Sequence, residues 1–96
     1  LNDNSTTPVV VAGTGCAGSA STMLNGPFGI FVDAQLRLYV ADCYNNRIQV
    51  FLSGSLTGTT IAGRNGRYNV TLNRPVSVVL DADDQLFIVD SYNHRI

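Results

Sequence analysis

The sequence predicts an all-β chain built from repeated four-stranded antiparallel units. Three observations carry this reading. All six basic residues are Arg and all seven acidic residues are Asp, so the helix formers Lys and Glu are absent, while Gly, Asn, Thr, Val and Ile are plentiful. The apolar residues fall in short runs bounded by turn residues, as strands do. Finally, the chain repeats itself 48 residues apart: LNGPFGIFVDAQLRLYVADCYNNRI (24–48) and LNRPVSVVLDADDQLFIVDSYNHRI (72–96) are identical at 11 of 25 positions without a gap. Self-similarity over that length marks one supersecondary unit that stacks against copies of itself.

The strands follow in order. PVVVA (8–12) is the first, closed by Gly13-Thr14-Gly15. Residues 28–32 form the second, with 76–80 as counterpart, and 36–41 form the third, matched by 85–89. RIQVFL (47–52) is the fourth; its counterpart opens at Arg95 and is cut off after Ile96. TTIA (59–62) mirrors PVVVA, and each run ends in Ala-Gly. That last pair is offset by 50, so a two-residue length difference lies in the loop before Leu24 and Leu72. Asp33-Ala34 and Asp81-Ala82 occupy the turn between the first two strands of each copy, where a carboxylate can bond the local backbone. Short connections predict antiparallel neighbours. Four such strands per period of roughly 40 to 50 residues, apolar on both faces, suit a β-propeller blade, which needs other blades on either side to bury those faces. The expected organisation is a last strand of a preceding blade plus loop over 1–23, a first repeat over 24–63, and a loop with a second repeat, truncated in its third strand, over 64–96.

At this point the residues resemble a known family. Leu24-Asn25, Pro27, Gly29-Ile30, Asp33, Leu38-Tyr39-Val40-Ala41-Asp42, Asn45 and Arg47-Ile48-Gln49-Val50-Phe51 are similar to the NHL repeat. Leu72-Asn73, Pro75, Asp81, Leu86-Phe87-Ile88-Val89-Asp90 and Asn93-His94-Arg95-Ile96 carry a second match, which departs from the pattern at Ser77, where the first copy has Gly29. The resemblance implies an NHL-type β-propeller segment: two four-stranded antiparallel blades of a six-bladed ring.

Asp42 with Arg47, and Asp90 with Arg95, recur at one spacing around the turn after the third strand. A carboxylate there can accept turn amides and an Arg fork, so both pairs are expected to be structural turn clasps. A catalytic acid would need a partner base, and no Ser-His-Asp set or Cys with a base stands beside them. His94 is the single His and replaces Asn46 of the first copy, so it is expected to be a turn residue and not one of the three or four ligands of a zinc site. Asp81, Asp83 and Asp84 lack the offsets and closing Glu of a calcium loop and are expected to be turn carboxylates. No cofactor or metal is expected.

Cys16 lies in the loop before the first repeat and Cys43 in the clasp turn. In an up-and-down blade these connections emerge on one face, and both cysteines are missing together from the second copy, where Asn65 or Gly66 and Ser91 stand near the matching places. A disulfide is expected in an oxidising compartment, and two free thiols in a cytosolic one. Asn4-Ser5-Thr6 and Asn69-Val70-Thr71 both fit the N-glycosylation pattern. Together these features point to an extracellular, secreted chain bearing N-linked glycans.

Formal net charge is −1 and the Arg residues form no run, which argues against nucleic acid as a partner. No apolar stretch approaches the roughly 20 residues of a membrane span. The leading expectation is a non-catalytic structural or binding module whose partners are further blades, from the same chain or from identical chains in a homo-oligomer or filament. A part of a lyase-like propeller enzyme with its catalytic groups in other blades is the alternative, and an RNA-binding propeller the second alternative.

Overall fold

The computed structural model describes residues 12–14 and 17–96. Six strands form two antiparallel sheets: β1 (Pro27–Val32), β2 (Leu38–Asp42), β3 (Arg47–Phe51) and β4 (Gly58–Gly63) in the order β1-β2-β3-β4, and β5 (Pro75–Leu80) beside β6 (Leu86–Asp90). The chain is all-β, in two antiparallel sheets of four and two strands. A single-turn 3-10 helix follows β2 (Cys43–Asn45) and another follows β6 (Ser91–Asn93). The expected PVVVA strand lies, apart from Ala12, outside the described residues.

Register repeats with the sequence. Ile30 pairs with Val40 and Val32 with Leu38; 48 residues later Val78 pairs with Ile88 and Leu80 with Leu86. Both β1 and β5 carry an irregularity just after the proline, between Pro27 and Ile30 and between Pro75 and Ser77. Asp42 faces Arg47 across β2 and β3, and an isolated antiparallel bridge joins Asp90 to Arg95 at the equivalent place.

Two expected strands begin later than the apolar pattern suggests. The third was expected at 36–41 and its counterpart at 85–89, but β2 opens at Leu38 and β6 at Leu86. Asp33 is the cause in the first copy. Its Oδ1 accepts the N–H groups of Gln35 (3.0 Å) and Arg37 (2.8 Å), which keeps the chain in a turn through Arg37. Leu36 consequently sits at φ +62°. Asp81 does the same for Asp83 and Gln85, with Asp84 at φ +60°.

The core lies between the sheets. Tyr39 and Ala41 of β2, Ile48 of β3 and Ala62 of β4 pack with Leu72 and with Val78 of β5. Alternation along each strand sends one apolar set to this seam and the other to the opposite face. Gly29 permits the close approach of β1 to β5: a Cβ there would stand 2.5 Å from the Val76 carbonyl oxygen. The outer edge of β4 is not bare, because Tyr68 N–H donates to the Ile61 carbonyl at 2.8 Å and Arg67 N–H to that of Thr60 at 3.3 Å, laying the following loop along it. A covered edge is protected against adventitious strand pairing.

Candidate functional site

The polar groups best organised by this fold are the two clasps. β2 ends at Asp42, and its carboxylate is sealed from solvent. Oδ1 accepts the Asn25 N–H at 2.7 Å, while Oδ2 accepts Asn45 Nδ2 at 2.9 Å and Arg47 Nε at 2.7 Å. Arg47 then turns its remaining donors on the preceding loop, Nη1 to the Ser19 carbonyl and Nη2 to those of Ala20 and Met23, at 2.8 to 3.1 Å. The Tyr44 N–H returns a bond to the Asn25 carbonyl at 3.0 Å. A buried carboxylate thus satisfies a turn, a loop and an Arg fork at once, as buried charge requires.

The second copy rebuilds the three bonds to the carboxylate atom for atom, with fewer bonds from its Arg to the loop. Asp90 Oδ1 accepts the Asn73 N–H at 2.7 Å, and its Oδ2 accepts Asn93 Nδ2 at 2.8 Å and Arg95 Nε at 2.9 Å. Arg95 Nη2 donates to the Thr71 carbonyl, and the Tyr92 N–H to that of Asn73 at 3.0 Å. Burial pushes the Asp90 carboxyl up, but the hydrogen bonds from Asn73, Asn93 and Arg95, with the charge of Arg95, outweigh it and hold the group below its ordinary value. Arg47 is mostly covered and Arg95 half exposed, so the first clasp is the drier one.

Asn45 and Asn93 are clasp members that sequence reasoning missed as such. The available signal was their identity in both copies, two places before each Arg. Asn46 and His94 follow them at φ +56° and +53°, each N–H closing the turn on the carbonyl of Cys43 or Ser91 at 3.1 Å. Asn adopts this left-handed backbone more readily than most residues, and His shares some of that tolerance.

At the opposite end of the strands, Asp33 pairs with Arg37 and accepts the Tyr39 hydroxyl at 3.2 Å. Burial raises its carboxyl, and the Arg37 amide, guanidinium and charge, followed by the Tyr39 hydroxyl, bring it below the usual value. Tyr39 itself is pushed up, by burial first and by the nearby Asp33 against the opposing Arg37 charge.

The remaining sequence-predicted residues fall as follows. Cys43 is buried in the clasp turn, and Asn69 is exposed in the loop after β4, its Oδ1 accepting the Asn65 N–H at 3.1 Å. Cys16 and Asn4 lie outside the described residues. Asp81, Asp83 and Asp84 stand on the exposed turn already described, and among the described residues no group of three His, Cys, Asp or Glu is placed to hold a metal. A hollow of about 670 Å³ is open to solvent and is no enclosed pocket. It runs along β6 over Leu72, Phe87, Ile88 and Ile96, where the second copy has no counterpart of β3 among the described residues.

No curated protein matches the chain. The NHL repeat model matches residues 24–51 and 72–96, which together make up more than half of the sequence. Those two matches take in β1 to β3, β5 and β6 and both clasps, and the chain therefore belongs to the NHL-repeat family.

Proposed function

We propose that this chain is a non-catalytic structural and binding module of an NHL-type propeller, one whose open faces receive further blades. One observation carries the reading: each open face repeats half of the buried seam. Tyr39 is 3% exposed, yet its second-copy counterpart Phe87 is 43% exposed. Conversely Val78 is 1% exposed while its first-copy counterpart Ile30 is 64%. One side of the module thus offers the surface that the other side's chemistry already binds inside it. Burial of apolar area is the driving force for such stacking, and repeat arrays are stabilised by nearest-neighbour interfaces of this kind. Further blades of this type, in the same chain or in identical chains, would continue the array towards a six-bladed ring.

The compartment we propose is extracellular. Asn69 supports it: the side chain is exposed, its oxygen is engaged locally, and its Nδ2 is left for a glycan in the Asn69-Val70-Thr71 pattern. The Cys16 and Cys43 pair fits the same compartment as a disulfide.

Sedimentation across a concentration series tests the module. Concentration-dependent association that Phe87→Arg abolishes is the expected result. A chain that stays folded and monomeric throughout would overturn the blade-binding reading. Secretion from a eukaryotic host, followed by glycosidase treatment and intact mass, tests the compartment; unmodified Asn69 would remove its support.

A further inference from the structure

The side chains of Tyr44, Arg74 and Tyr92 form a stack outside both the clasps and the core. The Arg74 guanidinium carbon lies 4.8 Å from the centroid of the Tyr44 ring and 4.8 Å from that of Tyr92. Tyr44 belongs to the first repeat, Arg74 and Tyr92 to the second. Arg74 Nη1 also reaches the Tyr92 hydroxyl at 3.4 Å, and the Arg74 N–H donates to Asn46 Oδ1 at 2.8 Å, again across the seam. Among the described residues Arg74 has no carboxylate partner.

Its backbone makes the arrangement pointed. Arg74 sits at φ +55°, a conformation costly for a residue with a Cβ, and its counterpart in the first copy is Gly26, at φ +63°. Glycine is the natural occupant, so an Arg here forgoes backbone ease for its side chain. What that side chain reaches is a pair of half-exposed rings from two different repeats. Guanidinium over a tyrosine face is attractive, and a planar cation between two rings engages both.

We propose that Tyr44 and Asn46 form a receptor for the arginine that follows Leu-Asn in the next repeat, and that Arg74 locks the second repeat onto the first in one register. The lock rests on the blade-stacking reading and adds a directional contact to an apolar seam whose other polar feature is the undirected attraction between Arg37 and Asp84. Apolar burial favours closeness without fixing register; the stacked guanidinium and the Asn46 bond fix it. Arg74 is therefore a positioning residue of the seam.

The test is made on the full chain. In its NMR spectrum the Arg74 side-chain protons should lie upfield, shifted by both rings, and Tyr44→Leu should remove about half of that shift. In urea denaturation, Arg74→Met, which keeps the stem and removes the cation, should lower the folding equilibrium constant about fivefold to tenfold, with Arg74→Lys in between. A double-mutant cycle of Arg74→Met with Tyr44→Leu should show a coupling of about twofold to fivefold. Unshifted Arg74 protons in the wild type, or a Met variant as stable as wild type with zero coupling, would overturn the lock. Stacking is judged separately by side-chain nuclear Overhauser effects within the seam cluster that holds Tyr39, Ile48 and Val78: cross-peaks between the repeats with no lock leave stacking intact, whereas their absence in the wild type defeats stacking itself.

Discussion

Asp42 and Asp90 are almost fully buried, and each is held by three donors from its own turn and the loop before it. Removing one carboxylate leaves its Arg facing a dry turn. Asp42→Ala should therefore cost about 3 to 5 kcal/mol, the scale for breaking a buried ion pair, read as a fall in the urea midpoint. The Asp90 carboxylate also makes stability depend on pH. Asp90 ionises more readily in the fold than the ordinary value of 3.8, so the unfolded chain binds the proton more tightly. Its contribution is complete above that ordinary value and drains away as pH falls through the lower folded value. Denaturation midpoints should accordingly hold from this group between about pH 7 and 5 and fall below about pH 4. Asp90→Asn, which keeps the shape without the charge, should flatten that fall; an unchanged acid limb would show that Asp90 is not a source of it.

Strands were legible from the alternation of apolar residues, and their boundaries less so, for a reason that resides in one side chain. Leu36 is apolar and adjoins the run that becomes β2, so the pattern places it in a strand. The Asp33 carboxylate instead gathers the Gln35 and Arg37 amides and forces Leu36 to φ +62° with its side chain in solvent. Nothing in the apolar period reports a carboxylate bonding two amides beyond itself. Asn at that position adopts the left-handed backbone at less cost, and Leu36 buries little that would be lost. Leu36→Asn should stabilise the hairpin by about 0.5 to 1 kcal/mol, measured as a higher urea midpoint. The clasp turn is the converse case. Asn46→Val places a β-branched residue at φ +56° and removes the acceptor of the Arg74 N–H, so a loss of about 1 to 3 kcal/mol is expected.

At the scale of the whole molecule, the 48-residue repeat made the seam legible in kind but not in detail. It implied that one apolar face of each copy meets the other copy. It could not show that Arg74 bridges two tyrosines, because that contact joins residues 30 and 18 positions away and exists only in one copy. The repeat also sets the sharpest test of what the open faces are for. Phe87 occupies in the second copy the place that Tyr39 holds in the first, where it is packed against β5 and its neighbours. If the open face were simply unfinished surface, charging it would change nothing beyond the few tenths of a kcal/mol typical of exposed sites. If it is an interface, a charge buried there without a partner is prohibitive for association and harmless to the isolated fold. Phe87→Arg should therefore leave the urea midpoint within about 0.5 kcal/mol of wild type while abolishing concentration-dependent association. Tyr39→Arg, the same change one repeat earlier, should unfold the seam and lower stability by about 3 to 5 kcal/mol. The contrast between two equivalent positions, one spent within the module and one still open, reads out the stacking directly; equal effects at both would mean that Phe87 already serves the fold and that its face is not a docking surface.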